Sequence, residues 1–587
     1  MTKRKNFNNI AYRLSQLNTE TVANLSKRMM KGENVIPETD NEKQCFQVLQ
    51  DLECISEKVD GSISSKKKMC NEIWSLTSYL GPPTWFITFS PADVKHPISL
   101  YFADTKKTFR PDLKIHKDDA FRLIARNPVA SARFFHFIVQ AFLKHLLGIE
   151  NKNNGLFGKT SGYYGTIEQQ GCLTLHLHLL LWIKNTLTLQ EIKDKLTGED
   201  SSFKEAIIKY LESVCAGEFI NTTSDKLKED LKKKHSLSSY TNPTKTLPKK
   251  CPSSCEKNCD TCLNCSENQS WWKLFEETTN DLLQRENIHV HMKNNKANGY
   301  GGCLDDSDEC KARMPRPIVK ETYVDQESGT IYLKKNEPML NTFSSVVTYL
   351  LRCNTNVTCL LSGTAVKAVI AYVTDYVTKQ TLKTYRVLNA INSILEKQTL
   401  YIGKSELQKN NTCKIMTQVV NSLTGKLEIG APMASQYLLK LPDHYCSHVF
   451  HPFYWKLYVN HIWITFQNNH DQSNKDVHCM EDIVMIKNQG SIIGISSIDD
   501  YIYRPEKYKD ICLYEWIRLY EKQKIKKSTL LKSNNSDGCL VGKLELDLDD
   551  MFLENHPQHG TLILKIMISH GKVHFLSIHF LKNILKK

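Results

Sequence analysis

The sequence predicts an α+β fold, because strand-like and helix-like apolar patterns alternate within its first 190 residues. Thr84–Ser90 is an apolar strand bounded by prolines. Ser161–Gln170 and Thr174–Ile183 have the pattern of two strands joined by a short connection, an antiparallel hairpin. Val129–Leu147 has the spacing of a helix. Its apolar residues at that spacing are Phe134, Phe137, Ile138, Phe142 and Leu146.

Length and composition set the class of protein. The chain has 587 residues, enough for about three to four domains. Hydrophobic residues make up 41% and charged residues 24%, which indicates packed cores rather than general disorder. The apolar run Leu173–Ile183 is too short to span a bilayer, and the segment after Met1 lacks the apolar stretch of a signal peptide. We therefore expect a soluble intracellular protein.

The charge balance favours a polyanionic partner. Lys and Arg number 77 against 63 Asp and Glu, a net charge of +14. Basic runs occur at 66–68, 232–234 and 522–527. Such surfaces bind polyanions by releasing counterions. The alternative is that these lysines are the solvated faces of an ordinary protein.

Cysteines are concentrated in one block. Seven of the 19 fall between Cys251 and Cys310, which in a chain without a signal peptide favours metal binding over disulfides. The spacing Cys259-x2-Cys262 suits tetrahedral Zn²⁺. Nine candidate ligands are sufficient for two zinc ions in alternative groupings, and the other reading is a loop of unmetallated cysteines. The candidates are Cys251, Cys255, Cys259, Cys262, Cys265, His289, His291, Cys303 and Cys310.

A second candidate metal site is His176-Leu-His178. Residues two apart on a strand share a face, so both imidazoles can hold one divalent cation and leave positions open for a phosphate oxygen. The pattern alone is weak, because His289-Val-His291 repeats it, and two histidines packed in a core are the alternative. Glu168 and Gln170 are both candidates for a third ligand, and the register of the turn decides between them.

Two tyrosines are the candidate nucleophiles. In the predicted helix Thr364–Gln380, Tyr372 and Tyr376 are four residues apart and share a face, with Lys379 one turn further along. A phenolic hydroxyl can attack a phosphodiester that a metal ion polarises. The alternative is a helix face that packs on a sheet.

Several short motifs occur in a fixed order along the chain. They are Phe86-Ile-Thr-Phe-Ser-Pro91, Phe157-Gly158, Glu168-Gln-Gln-Gly171, His176-Leu-His178, Arg352-Cys-Asn354, Tyr372-Val-Thr-Asp-Tyr376-Val-Thr-Lys379, Pro432-Met-Ala-Ser435, Tyr437-Leu-Leu439, Asp499–Pro505 and His556-Pro-Gln558. From about Pro82 to Gln558, the chain resembles the N-terminal, nuclease half of Helitron rolling-circle transposases. These belong to the His-hydrophobic-His endonuclease superfamily.

The resemblance implies a small antiparallel sheet flanked by helices, with the histidines on a central strand beside Phe86–Ser90. His176 and His178 would bind catalytic Mg²⁺ or Mn²⁺, and Tyr372 and Tyr376 would be the nucleophiles. The implied reaction nicks single-stranded DNA at transposon ends, leaving a 5′-phosphotyrosine link and a free 3′-OH, and then transfers the strand. A nuclear location is expected.

The resemblance also covers the cysteine block. The family has a His/Cys cluster that ends in Cys-x-x-Arg-x-Pro-Arg, and Cys310-Lys-Ala-Arg313-Met-Pro-Arg316 matches this ending. It implies structural Zn²⁺ in a module inserted into the α+β domain.

The chain departs from the family in two places. Cys172-Leu173 stands where the family usually has Arg-Gly, whose glycine allows a tight turn and whose arginine can contact phosphate. A basic, apolar tail at Thr561–Lys587 stands where the family continues into a helicase, and no Gly-x4-Gly-Lys-Ser/Thr motif occurs. We therefore expect a truncated transposase whose helicase acts in trans. The alternative is a non-catalytic, zinc-dependent remnant that binds single-stranded DNA.

The predicted organisation has seven segments. They are a polar N-terminal region (1–80), the first half of the nuclease domain (81–185), a helical insertion (186–245), the zinc module (246–320), the second half of the nuclease domain (321–385), an accessory region (386–550) and the atypical tail (551–587).

Overall fold

The structure is a computed structural model of the full chain. It describes residues 13–14, 16–33, 35–56, 61–104, 117–149, 154–169, 174–198, 201–252, 263–293, 302–305, 307–361, 384–399, 418–419, 421–422, 429–451, 484–488, 491–495, 497–524, 562–566 and 572–574. The chain divides into two units, residues 1–73 with 80–446 and residues 74–79 with 447–587.

The first unit contains the expected combination of helices and strands. Its helices are α1 (Thr19–Met30), α2 (Asp40–Ser56), α3 (Ile63–Leu80, whose last turns belong to the second unit), α4 (Pro97–Ala103), α5 (Lys117–Arg126), α6 (Pro128–Ala141), α7 (Leu189–Thr197), α8 (Ser201–Val214), α9 (Ser224–His235), α10 (Leu263–Leu282), α11 (Ser345–Leu351), α12 (Thr384–Thr399) and α13 (Ala431–Leu438). Its strands are β1 (Trp85–Ser90), β2 (Thr160–Gln169), β3 (Leu175–Ile183), β4 (Tyr323–Val324), β5 (Ile331–Tyr332), β6 (Asn354–Cys359) and β7 (His444–Cys446). A π-helical turn, Phe142–Leu146, continues α6.

Five of these strands form one antiparallel sheet in the order β6-β1-β3-β2-β7. The hairpin β2–β3 pairs Glu168 with His176 and Thr166 with His178. Strand β3 is therefore central, with β1 on its other side, where Thr88 pairs with His178. The predicted α+β class, the antiparallel sheet and its flanking helices are confirmed.

Alternation along the strands separates an apolar face of the sheet from a polar one. Leu177 and Leu179 on β3, with Trp85 and Phe89 on β1, are completely buried on the apolar face. They share a core with α6, whose Phe134 is also buried. This core fixes the register, because a slip of one residue would bring the histidines into it.

The N-terminal helices form a separate core with α12. Val22 and Leu25 of α1 are buried against Leu388 and Ile391 of α12. The Ser26 hydroxyl donates a hydrogen bond to the Tyr385 carbonyl, 3.0 Å away. The N-terminal region is therefore packed against a segment more than 350 residues further along the chain.

The second unit has short elements of its own. Strands β8 (Val449–His451), β9 (Val484–Asn488), β10 (Ser491–Ile495), β11 (Tyr520–Lys524), β12 (Leu562–Ile566) and β13 (Lys572–His574) pair two by two, and its helices are α14 (Ser497–Ile502) and α15 (Leu513–Leu519). Tyr508 and Trp516 are buried together. Among the helices of the described residues, none is both long enough and apolar enough to cross a membrane.

Candidate metal centres

The polar face of the sheet carries the first candidate centre. His176 and His178 are 5% and 4% exposed, and Glu168 is 8% exposed. The Nε2 atom of His178 lies 2.8 Å from Oε2 of Glu168. An imidazole and a carboxylate thus meet at one point on the buried polar face.

Hydroxyl groups on β1 hold the two imidazole rings. The Thr88 hydroxyl lies 3.2 Å from Nδ1 of His178, and the Ser90 hydroxyl contacts Nδ1 of His176. The other nitrogen of His176 lies 2.9 Å from the Thr174 hydroxyl. Hydrogen bonds from neighbouring groups to the ring nitrogens set the orientation of each ring. The alternation of Thr88 and Ser90 with Ile87 and Phe89 is the sequence signal for these residues, which our sequence analysis did not single out.

The site keeps His176 uncharged. Burial, and to a smaller extent the electrostatic influence of the neighbouring His178, lowers the pKa of His176 to about 3. A neutral imidazole retains the lone pair that metal coordination requires. The donors on this face, imidazole nitrogen and carboxylate oxygen, fit a divalent metal ion with mixed nitrogen and oxygen ligands.

Of the two candidates for the third ligand, the structure describes Glu168 and does not describe Gln170. Glu168 lies across from His176 and contacts His178. Gln170 lies outside the described residues, as do the turn residues Cys172 and Leu173. The neighbouring Gln169 points away from the histidines, where its side-chain oxygen accepts a hydrogen bond from the Gly430 backbone N–H at 2.5 Å.

A charged cluster adjoins the histidines on the same face. The Tyr164 hydroxyl donates to Oε2 of Glu72 at 2.6 Å, and Nε2 of His444 lies 3.4 Å from the same oxygen. The other ring nitrogen of His444 lies 2.7 Å from Asp443. Burial alone would lower the pKa of His444, but hydrogen bonds to Asp443 and Cys446 and the charges of Glu72 and Asp443 raise it to about 10.

This cluster was not anticipated. Glu72 lies in the lysine-rich helix α3 and His444 on a strand of three residues, so neither has a sequence pattern that indicates burial. The proposed nucleophiles Tyr372 and Tyr376, and Lys379, lie outside the described residues.

The second candidate centre lies in the cysteine block. His289, His291, Cys303 and Cys310 each offer one ligand atom, and these four atoms all lie within 4.8 Å of one another. The Cys310 sulfur is 3.3 Å from Nε2 of His289, and the Cys303 sulfur is 3.7 Å from Nδ1 of His291. Within the described residues, this is a possible metal-binding group.

The backbone brings these four residues together. The His289 N–H donates to the Met339 carbonyl at 2.9 Å, and the Lys311 N–H donates to the Cys303 carbonyl at 2.8 Å. Desolvation would raise the pKa of the Cys310 thiol, but backbone N–H groups, led by that of Met314, donate to its sulfur and lower the pKa. A lowered pKa favours the thiolate, which is the form that binds metal.

Of the other zinc candidates, Cys251 has a described side chain, and it is not part of this group. Cys251 is exposed, and its sulfur lies 3.9 Å from Oδ1 of Asn268. Cys265 lies in the first turn of α10, while Cys255, Cys259 and Cys262 lie outside the described residues. Two thiolates and two imidazoles form the donor set of a closed tetrahedral zinc site.

Comparison with known proteins identifies the N-terminal part of the chain. Residues 1–181 match the family model described as the Helitron helicase-like domain at the N-terminus. A search of curated proteins finds no match. The matched region contains β1, β2 and most of β3, including Glu168, His176 and His178. The N-terminal third of the chain is therefore similar to the Helitron helicase-like N-terminal domain.

Proposed function

We propose that the protein nicks single-stranded DNA and transfers the cut strand in rolling-circle transposition, using a divalent metal ion and a tyrosine nucleophile. The observation that carries the proposal is the contact of Glu168 with His178 on the polar face that His176 shares. This is a buried set of imidazole nitrogen and carboxylate oxygen donors within the residues that match the Helitron helicase-like domain.

His176, His178 and Glu168 would hold Mg²⁺ or Mn²⁺. When bound, the ion would polarise a phosphate of the DNA. Thr88 and Ser90 keep the imidazole rings oriented through their hydrogen bonds. Low exposure of the three ligands keeps water away from them, which strengthens their electrostatic interactions.

The chemical step is a transesterification. The hydroxyl oxygen of Tyr372 or Tyr376 forms a bond to phosphorus, the bond from phosphorus to the 3′ oxygen breaks, and that oxygen leaves as a 3′-OH after taking up a proton. The 5′-phosphotyrosine conserves the energy of the phosphodiester, so a later attack by a 3′-OH can rejoin a strand without ATP. Lys379 would provide positive charge near the phosphate.

We also propose that the group His289, His291, Cys303 and Cys310 binds one structural Zn²⁺. Its S2N2 composition supports this assignment. The partners would be single-stranded DNA at transposon ends and a helicase supplied in trans, in the nucleus. The net charge of +14 supports a DNA partner.

The test is the formation of a covalent adduct. The full chain is incubated with end-labelled single-stranded DNA from a transposon terminus and Mn²⁺, and SDS-stable adducts are counted on a gel. We expect an adduct that EDTA abolishes. Tyr372→Phe combined with Tyr376→Phe should keep DNA binding, because the surface charge is unchanged, and should form no adduct.

Two results would contradict the proposal. An adduct in the double Phe variant would locate the nucleophile elsewhere. Absence of an adduct in the wild type, with DNA binding retained, would favour the non-catalytic remnant, and Cys172→Arg with Leu173→Gly is then the pair of substitutions expected to restore cleavage.

A further inference from the structure

An aromatic cluster begins at the end of the sheet that carries the metal ligands. Arg352 lies two residues before Asn354, the first residue of β6, which pairs with Ser90. Ser90 is the residue whose hydroxyl contacts His176. The guanidinium carbon of Arg352 lies 4.3 Å from the centre of the Tyr349 ring. Tyr349 is therefore the first ring beyond this end of the sheet.

The cluster continues from Tyr349 to the surface of α10. The Tyr349 ring centre is 4.7 Å from that of Phe275 and 5.8 Å from that of Trp271. Trp271 in turn lies 5.0 Å from Trp272, with the two rings nearly perpendicular. Trp272 is 52% exposed, although it packs against Phe275 at 5.5 Å. A large aromatic side chain is thus held by buried rings and presented to solvent.

Lysines lie next to this aromatic cluster. The Trp271 indole N–H donates to the Lys249 carbonyl at 3.0 Å, and the Tyr349 hydroxyl donates to the same carbonyl at 3.2 Å. These two bonds hold the backbone of Lys249 against the cluster, and Lys250 follows it. Lys249, Lys250 and Lys273 are exposed, and none of them has an ion-pair partner among the described residues.

Two carboxylates that follow Trp272 on α10 are engaged elsewhere, whereas Glu267, five residues before it, is exposed. Glu276, one turn after Trp272, accepts a hydrogen bond from the Asn221 side chain at 3.0 Å. Glu277 forms an ion pair with Lys234 at 2.9 Å. Among the described residues around Trp272, three exposed lysines thus outnumber the one exposed, unpaired carboxylate, Glu267, and the resulting positive charge suits a polyanion.

We propose that Trp272, with Lys249, Lys250 and Lys273, forms a base-stacking platform for the single-stranded DNA that approaches the metal end of the sheet. Every base has a π face that can stack on an indole, and the ammonium groups can contact the flanking phosphates. The platform would hold the strand without reading its sequence. This inference rests on the proposed function and adds a DNA-binding surface to it.

The test compares two exposed aromatic residues. Binding of the zinc-loaded full chain to labelled oligothymidine of about 30 nucleotides is measured by fluorescence anisotropy. Trp272→Ala should weaken binding by about 5- to 150-fold, and Trp272→Phe should retain most of the affinity. Phe121→Ala is the matched control, since Phe121 is 61% exposed on α5 but lies beside Asp118 and Asp119. Its affinity should be unchanged.

An abasic oligonucleotide of the same length separates stacking from charge. Trp272→Ala should bind this strand with the same affinity as the wild type, because an abasic strand has no base that could stack on the indole ring. Lys249→Gln with Lys250→Gln should weaken binding to both strands and reduce the slope of log K against log salt by about 1.4. The platform is refuted if the wild type does not bind oligothymidine, if Trp272→Ala leaves that affinity unchanged, or if it weakens binding to the abasic strand equally.

The adduct assay keeps this inference separate from the proposed function. Adducts in the wild type, combined with unchanged oligothymidine affinity in Trp272→Ala, would overturn the platform alone. Loss of affinity in Trp272→Ala, combined with no adduct in the wild type, would support the platform and remove the nuclease proposal.

Discussion

The chain contains two His-x-His pairs with an apolar residue between the histidines, and they lie in different environments. His176 and His178 lie on the central strand of a sheet and are almost completely buried. His289 and His291 lie on an irregular segment, and His291 is exposed. The first pair meets a carboxylate and hydroxyl groups, whereas the second meets two thiols.

The difference teaches that the chemistry of such a pair depends on the residues brought to it from elsewhere in the chain. On β3, alternation alone aligns the imidazoles, and the paired strands add Glu168, Thr88 and Ser90. In the cysteine block, the rings of His289 and His291 are nearly perpendicular, 5.1 Å apart, and their partners come from positions 303 and 310. A hard divalent ion suits the first set and zinc the second.

The largest expected effect is loss of zinc from the second pair. Cys310→Ser should remove about one zinc per chain, whereas Cys251→Ser should retain it, because only Cys310 belongs to the four-residue group. Metal analysis of freshly purified protein measures both.

Chelation should unfold residues 251–316 and leave the β2–β3 hairpin folded, since a structural zinc site supplies about 10–16 kcal/mol of local folding free energy. Hydrogen exchange would locate the unfolding, and protection lost first in the hairpin would contradict this assignment.

One substitution in each pair should show that the two pairs have different functions. His178→Ala should lower the rate of adduct formation by about a thousandfold, because a metal ligand supports several kcal/mol of transition-state stabilisation, and should leave the zinc content unchanged. His291→Ala should release zinc and change the adduct rate by no more than about twofold. Equal effects of the two substitutions on both measurements would show that the chain has one functional centre.

The apolar residues between the histidines, Leu177 in the first pair and Val290 in the second, should contribute differently to the free energy of unfolding. Leu177 is completely buried, so Leu177→Ala should lower the free energy of unfolding by about 2–5 kcal/mol. Val290 is 70% exposed, so Val290→Ala should change it by less than about 0.5 kcal/mol. Urea denaturation of the two variants measures both changes, and a large loss in Val290→Ala would mean that this segment is buried in solution.

The smallest effect concerns pH. The pKa of His444 is about 10, above its value of 6.5 in an unfolded chain. The stability that His444 contributes should therefore be complete below pH 6.5 and should be lost as the pH rises towards 10. The difference in free energy of unfolding between wild type and His444→Gln should shrink over this range. A difference that grows with pH would mean that the two carboxylates do not hold the charged imidazole.

The hairpin was predictable because its signal is local. Alternating leucines across His176 and His178 fix both the strand and the shared face of the imidazoles. The choice between Glu168 and Gln170 was not predictable, because it depends on the register set by the turn. In the structure, the register places Glu168 opposite His176.

Two other features had no local signal. Strand β6, Asn354-Thr-Asn-Val-Thr-Cys359, has few apolar residues, because one of its sides continues the polar face of the sheet. The four residues of the His/Cys group could not be selected from nine candidates, because their meeting depends on chain reversals between positions 291 and 310. Cysteine spacing drew attention to Cys259 and Cys262, whereas the described group contains the widely spaced Cys303 and Cys310.

The strand order of the sheet also determines when it can be completed during synthesis. Strand β3 ends at residue 183 and β6 begins at residue 354, so 170 residues lie between them. At about 5–20 residues per second, the ribosome takes about 9–34 s to make that stretch. Throughout this time the outer edge of β1, Trp-Phe-Ile-Thr-Phe, lacks its partner and can pair with another nascent chain. The protein is therefore most vulnerable to aggregation while it is being translated, and slower initiation or a chaperone bound to this edge should raise the yield of folded protein.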